Sequence, residues 1–173
     1  LMSAAGYYPL DTVIEFSEKA LRLESSLPNP RPDKVLEAHA FYINSLVRAL
    51  QRSDTRKKIY SRLKGAVTQA ERAAKGSTSK ATGDLYRALS KASSTEKRAK
   101  SNLKTAADIY SRRLGTNSAL TLWTRIQLAR FETEKKQTKR LLELIPLFED
   151  DDESLQYKAA AQQRVSVLLL KQE

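Results

Sequence analysis

The sequence contains no cysteine and a single histidine, His39. Without cysteine there is no disulfide scaffold, thiol nucleophile or cysteine-ligated zinc. One histidine leaves little room for a histidine-built metal site or an acid–base dyad. Five glycines and five prolines are too few for a chain of many tight turns or for a glycine-rich nucleotide fold. The longest apolar run near the C-terminus is Val167-Leu168-Leu169-Leu170, far short of the roughly 20 residues of a membrane helix. The sequence has no Ser–His–Asp set, glutamate–histidine helix motif or phosphate-binding loop, so the expectation is a protein that is not an enzyme and needs no cofactor or metal.

The opening Leu1-Met2-Ser3-Ala4-Ala5-Gly6 lacks the apolar stretch of a signal peptide. Residues 1–10 are expected to be a flexible N-terminal segment or an expression scar. Residues 11–173 are expected to form a single helical-repeat domain, a fragment of a longer chain, placed inside the cell in cytoplasm or nucleus.

What the chain does contain is helical periodicity from end to end. Val13, Phe16, Ala20, Leu23 and Leu27 recur at intervals of three and four, as do Ile59, Leu63, Ala66 and Ala70. Leu103, Ala106, Ala107, Tyr110 and Leu114 repeat the pattern. No stretch alternates apolar and polar residues long enough to predict a strand. Proline-rich 28–32 and the glycine-led segments 76–79 and 115–118 mark breaks. Thr12 with Glu15 and Ser93 with Glu96 have the spacing of capping boxes. These signals predict an all-α chain of about eight helices, near 11–27, 33–51, 55–75, 79–93, 96–114, 117–132, 134–148 and 152–171. The short joins predict antiparallel neighbours, arranged as roughly four stacked hairpins in a partial solenoid.

Three segments align on small residues at Ala20, Ala66 and Ala106, at intervals of 46 and 40 residues. Each precedes a helix carrying aromatics, respectively Phe41 and Tyr42, Tyr86, and Trp123. Thr105-Ala106-Ala107-Asp108-Ile109-Tyr110-Ser111-Arg112-Arg113-Leu114-Gly115, with Ala119-Leu120 and Leu128-Ala129, resembles a tetratricopeptide repeat of the kinesin-light-chain type over about one repeat. The resemblance implies stacked helical hairpins and a protein-interaction scaffold.

Charge is unevenly distributed. Residues 52–114 hold 17 positive and 5 negative side chains, whereas residues 1–51 and 115–173 are nearly balanced. A local excess of this kind points to an anionic partner. The candidate contacts are Arg56, Lys57, Lys58, Arg62 and Lys64 on one predicted helix, away from its Ile59–Leu63–Ala66 face. Lys97, Arg98, Lys100, Lys104, Arg112 and Arg113 lie on the helix two further along, and the two groups are expected to share a surface. The leading expectation is a partner protein with an acidic or extended segment, bound in a groove or on this basic face. The alternative is RNA. Ser61–Glu71 is similar to part of the RNA-binding domain of a signal recognition particle subunit, which implies an RNA-binding helical module of a ribonucleoprotein. Membrane insertion and a small-molecule substrate are not expected. The acidic run Glu149–Glu153 is expected to cap the helix that follows it. The aromatics are expected to pack between helices, and His39 is expected to be an ordinary interhelical or surface residue.

Overall fold

The computed structural model describes residues 9–52, 56–149 and 151–171, apart from the side chains at 10, 52, 56, 57 and 153. Among these residues there are eight α-helices and no strand. They are α1 (Leu10–Ser26), α2 (Pro32–Arg52), α3 (Arg56–Ala73), α4 (Lys80–Lys91), α5 (Glu96–Leu114), α6 (Ala119–Ala129), α7 (Glu134–Leu144) and α8 (Asp152–Leu169). The all-α expectation holds, and each expected helix is present with ends moved by a few residues. One end differs in kind. The helix expected to run to 148 tightens into a 3-10 turn at Ile145–Leu147, because Pro146 cannot supply an α-helical donor. The expected N-terminal segment lies almost wholly outside the described residues.

The helices fall into two compact units, one ending at Ser94 and the other beginning at Thr95. In unit 1, α2 is the shared element: α1, α3 and α4 each pack on it. Its Leu36, Ile43 and Leu46 are buried with Ile14 and Leu21 of α1, Leu63 and Ala66 of α3, and Leu85 and Leu89 of α4. In unit 2, α5 packs on α6, α6 on α7 and α7 on α8. Leu122, Ile126, Leu141, Phe148 and Val165 form a core there, and Trp123 stacks on Tyr157 with ring centroids 5.1 Å apart.

Local signals explain several helix ends. Gly76 and Gly115 take positive φ angles of 81° and 98°, which side chains with a Cβ rarely adopt. Ser79 and Ser118 then accept the backbone N–H of Thr82 and Thr121 and cap α4 and α6. Asp151 caps α8, accepting from both the backbone N–H and the hydroxyl of Ser154 at 2.9 and 2.7 Å. The acidic run therefore caps as expected through Asp151. Neither expected capping box forms. Thr95, not Ser93, caps α5 by accepting from Arg98, while Ser93 donates to the Leu89 carbonyl of the preceding helix. Thr12 lies inside α1, which starts after Pro9.

The largest departure is the face of α1. The row Val13, Phe16, Ala20, Leu23 and Leu27 was expected to be its core face, yet Phe16 and Leu23 are each 63% exposed and Ala20 is exposed as well. Ile14, Ser17 and Leu21 are buried instead. Ser17 tolerates burial because its hydroxyl donates to the Ile14 carbonyl at 2.9 Å, and its small size suits close helix packing. The Ala20–Ala66–Ala106 alignment thus fails at its first member, while Ala66 and Ala106 are buried. Phe41 and Tyr60 also depart from the expected packing role, since both are exposed. Tyr42 and Tyr110 are buried as expected.

Candidate functional site

A structured polar site lies in unit 1, where α1 and α3 flank α2 and leave an open cleft of about 420 Å³. Glu18, Arg22 and Ser25 come from one side of α1, and His39 and Tyr42 from α2. Arg62, Gly65 and Gln69 come from α3. Their spacings of three and four residues put each set on one row of its helix. At Gly65 an added Cβ would meet nothing within 4 Å, so this wall of the cleft is open.

A carboxylate is held at the cleft between two guanidinium groups. Arg22 Nη2 donates to Glu18 Oε1 at 2.6 Å, and Arg62 Nη2 donates to Glu18 Oε2. Arg62 Nε also donates to the Tyr42 hydroxyl at 3.4 Å. The hydrogen bond from Arg22 holds the Glu18 carboxyl below its ordinary value, against the opposing effect of burial and with help from the Arg62 charge. Arg22 keeps its side chain 79% exposed, against 35% for Arg62. Arg62 is the inward anchor, and Arg22 can still reach a second anion.

Beneath this pair, His39 is only 6% exposed, and its Nδ1 is buried with no hydrogen-bond partner. Burial pushes its pKa below the ordinary value of 6.5, so the ring is neutral at physiological pH. Among the described residues there is no group of three or more acidic or histidine side chains that could hold a metal. The cleft offers two guanidinium groups, an imidazole, a phenol and an amide around a carboxylate, which is equipment for binding polar and acidic groups.

The residues expected from sequence divide between the units. Lys58 and Lys64 of α3 are exposed, and the side chains of Arg56 and Lys57 lie outside the described residues. Arg62 corrects the expectation that it points away from the helix interface: its ion pair with Glu18, 44 residues away, draws it toward α1. Lys97, Arg98, Lys100, Lys104, Arg112 and Arg113 are exposed on α5 in unit 2. Lys97, Lys100, Lys104 and Arg112 fall along one side of that helix, with Asp108 between the last two. Glu18, Arg22, His39 and Tyr42 were not singled out as an anion-binding set, because nothing in the sequence joins them to Arg62. His39 and Tyr42 carry sequence signals, as the single histidine and as a helical aromatic, but neither signal points to an anion.

No family model matches the chain, and comparison with curated proteins and with solved structures gives no match. Among the described residues no helix is long and apolar enough to cross a membrane.

Proposed function

We propose that this chain is a non-enzymatic binding module whose α1–α3 cleft receives acidic side chains from a segment of a partner protein. The observation that carries this reading is the Glu18 carboxylate gripped by Arg22 and Arg62 at an open cleft. Paired guanidinium groups bind carboxylates through short, charge-assisted hydrogen bonds. Glu18 occupies the position that a partner's Asp or Glu would take or share. The exposed Lys58, on the same row of α3 as Arg62, adds attraction at the rim. The tetratricopeptide-like pattern at 105–129 supports a scaffold role, since such helical arrays present grooves to peptides.

RNA is the second reading, and a specific feature favours it. Tyr60 is exposed one turn before the exposed Lys64 on α3, and a base can stack on an aromatic set among cations. Competition between a labelled acidic peptide and single-stranded RNA, repeated at increasing salt, separates the readings. The peptide should compete effectively and keep part of its affinity at high salt, through groups buried in the cleft. RNA that outcompetes the peptide, with affinity falling steeply in salt, would replace the first reading with the second.

A further inference from the structure

A second positive cluster lies between α2 and α4 of unit 1, and no sequence signal joins its members. Arg48 comes from α2, while Arg87 and Lys91 are one turn apart on α4. Lys91 Nζ donates to Asn44 Oδ1 at 3.3 Å, linking the end of α4 to α2. The Nη1 of Arg87 is buried and has no hydrogen-bond partner. Among the described residues no carboxylate pairs with any of the three cations, and the nearby Asp84 is paired with Lys80 at 3.1 Å.

Two physical costs meet at this place. A buried guanidinium N–H without an acceptor loses its hydration and gains nothing in return. Three cations brought together without a counter-charge also repel one another. Lys91 registers this: although the residue as a whole is exposed, desolvation of its ammonium lowers its pKa, and Arg87 and Arg48 lower it further. An anion seated among them would relieve both costs.

We infer that Arg48, Arg87 and Lys91 form a binding site for the phosphate group of a phosphomonoester or for inorganic phosphate. Charge and donor number favour this ligand over a carboxylate or a phosphodiester. A phosphate monoester carries nearly two negative charges near neutral pH and three terminal oxygens. A carboxylate or a backbone phosphodiester brings only one charge to a place that concentrates three. Asn44, already accepting from Lys91, holds the ammonium beside the arginines. Phe41, exposed one turn earlier on the same row of α2, gives an apolar shoulder for whatever carries the phosphate.

The test is calorimetric titration of the full chain near neutral pH with inorganic phosphate, acetate, a phosphoserine peptide and its unphosphorylated form. Phosphate should bind saturably and acetate should not. Arg87→Gln should weaken phosphate binding at least tenfold, and Lys91→Met should weaken it too. Without phosphate, Arg87→Gln should melt no lower than the parent, because it removes a half-buried guanidinium whose Nη1 has no acceptor, and adding phosphate should raise the melting temperature of the parent only. Tighter binding of the phosphopeptide than of free phosphate would assign the site to a phosphorylated chain, and equal binding would assign it to the small anion. Absence of saturable phosphate binding, or equal phosphate binding by parent and Arg87→Gln, would overturn the site.

Discussion

His39 is buried among α1, α2 and α3 with a bare ring nitrogen, and its titration should be visible in the stability of unit 1. Its folded pKa lies below the unfolded value of 6.5. As pH falls through 6.5, the unfolded chain gains a proton that the fold resists, so stability should decline and then level off below the folded pKa. Urea midpoints measured between about pH 7 and pH 5 should show this decline, and His39→Gln should flatten it. Glu18 acts in a lower window. Its folded pKa is depressed below 4.5, so its contribution is present above that value and is lost as pH drops through the folded pKa. A profile unchanged by His39→Gln would mean that the imidazole is not held neutral by burial. The same scale tests the face of α1. Phe16→Ser and Leu23→Ser should change stability by about 0.5 kcal/mol or less, whereas Leu21→Ala should cost about 2–5 kcal/mol. The reverse order in chemical denaturation would restore the face expected from sequence.

At the scale of elements, helix ends carry the sharpest expectations. Gly115→Ala places a Cβ at φ 98° and should cost about 1–3 kcal/mol, while Ser118→Ala should cost about 1 kcal/mol through the lost cap. Gly65→Ala should instead stabilise α3 by up to about 1 kcal/mol, because its Cβ meets nothing within 4 Å. Equal thermal shifts for Gly115→Ala and Gly65→Ala would contradict the backbone argument. These ends were legible in the sequence because glycine and serine act locally. The α3 core row was legible too, since Ile59, Leu63, Ala66 and Ala70 are the only apolar stripe through that helix and all are buried. On α1 two apolar rows compete, and periodicity favoured the longer one. Contact with α2 selects the row with Ile14 and Leu21, which periodicity along one helix cannot register. The capping box at Ser93 failed for a similar reason: Thr95 offers an equivalent hydroxyl two residues later. The candidate site was less legible than the fold. Arg62 was singled out for its charge, but its partner Glu18 lies 44 residues away, and Arg48 meets Arg87 and Lys91 only through the packing of α4 on α2.

Across the whole molecule the net charge is +11, and it is not confined to one unit. Residues up to Ser94 hold 16 cations against 9 anions, and those from Thr95 hold 15 against 11. Both units therefore attract anions at long range, with a strength that salt reduces. What distinguishes the unit 1 cleft is geometry: a carboxylate already sits between its two arginines. On the proposed reading, acidic side chains entering the cleft must compete with Glu18, and removal of that internal competitor should tighten binding rather than weaken it. The most direct measurement is the fluorescence anisotropy of a labelled peptide rich in Glu and Leu, titrated with the parent, Glu18→Gln and Arg62→Gln, with far-ultraviolet circular dichroism confirming that each is helical. Glu18→Gln should bind more tightly than the parent, and Arg62→Gln should bind about tenfold more weakly or worse, the scale of one lost charge-assisted hydrogen bond. If Glu18→Gln binds no tighter and Arg62→Gln binds as well as the parent, the acidic segment does not enter the α1–α3 cleft.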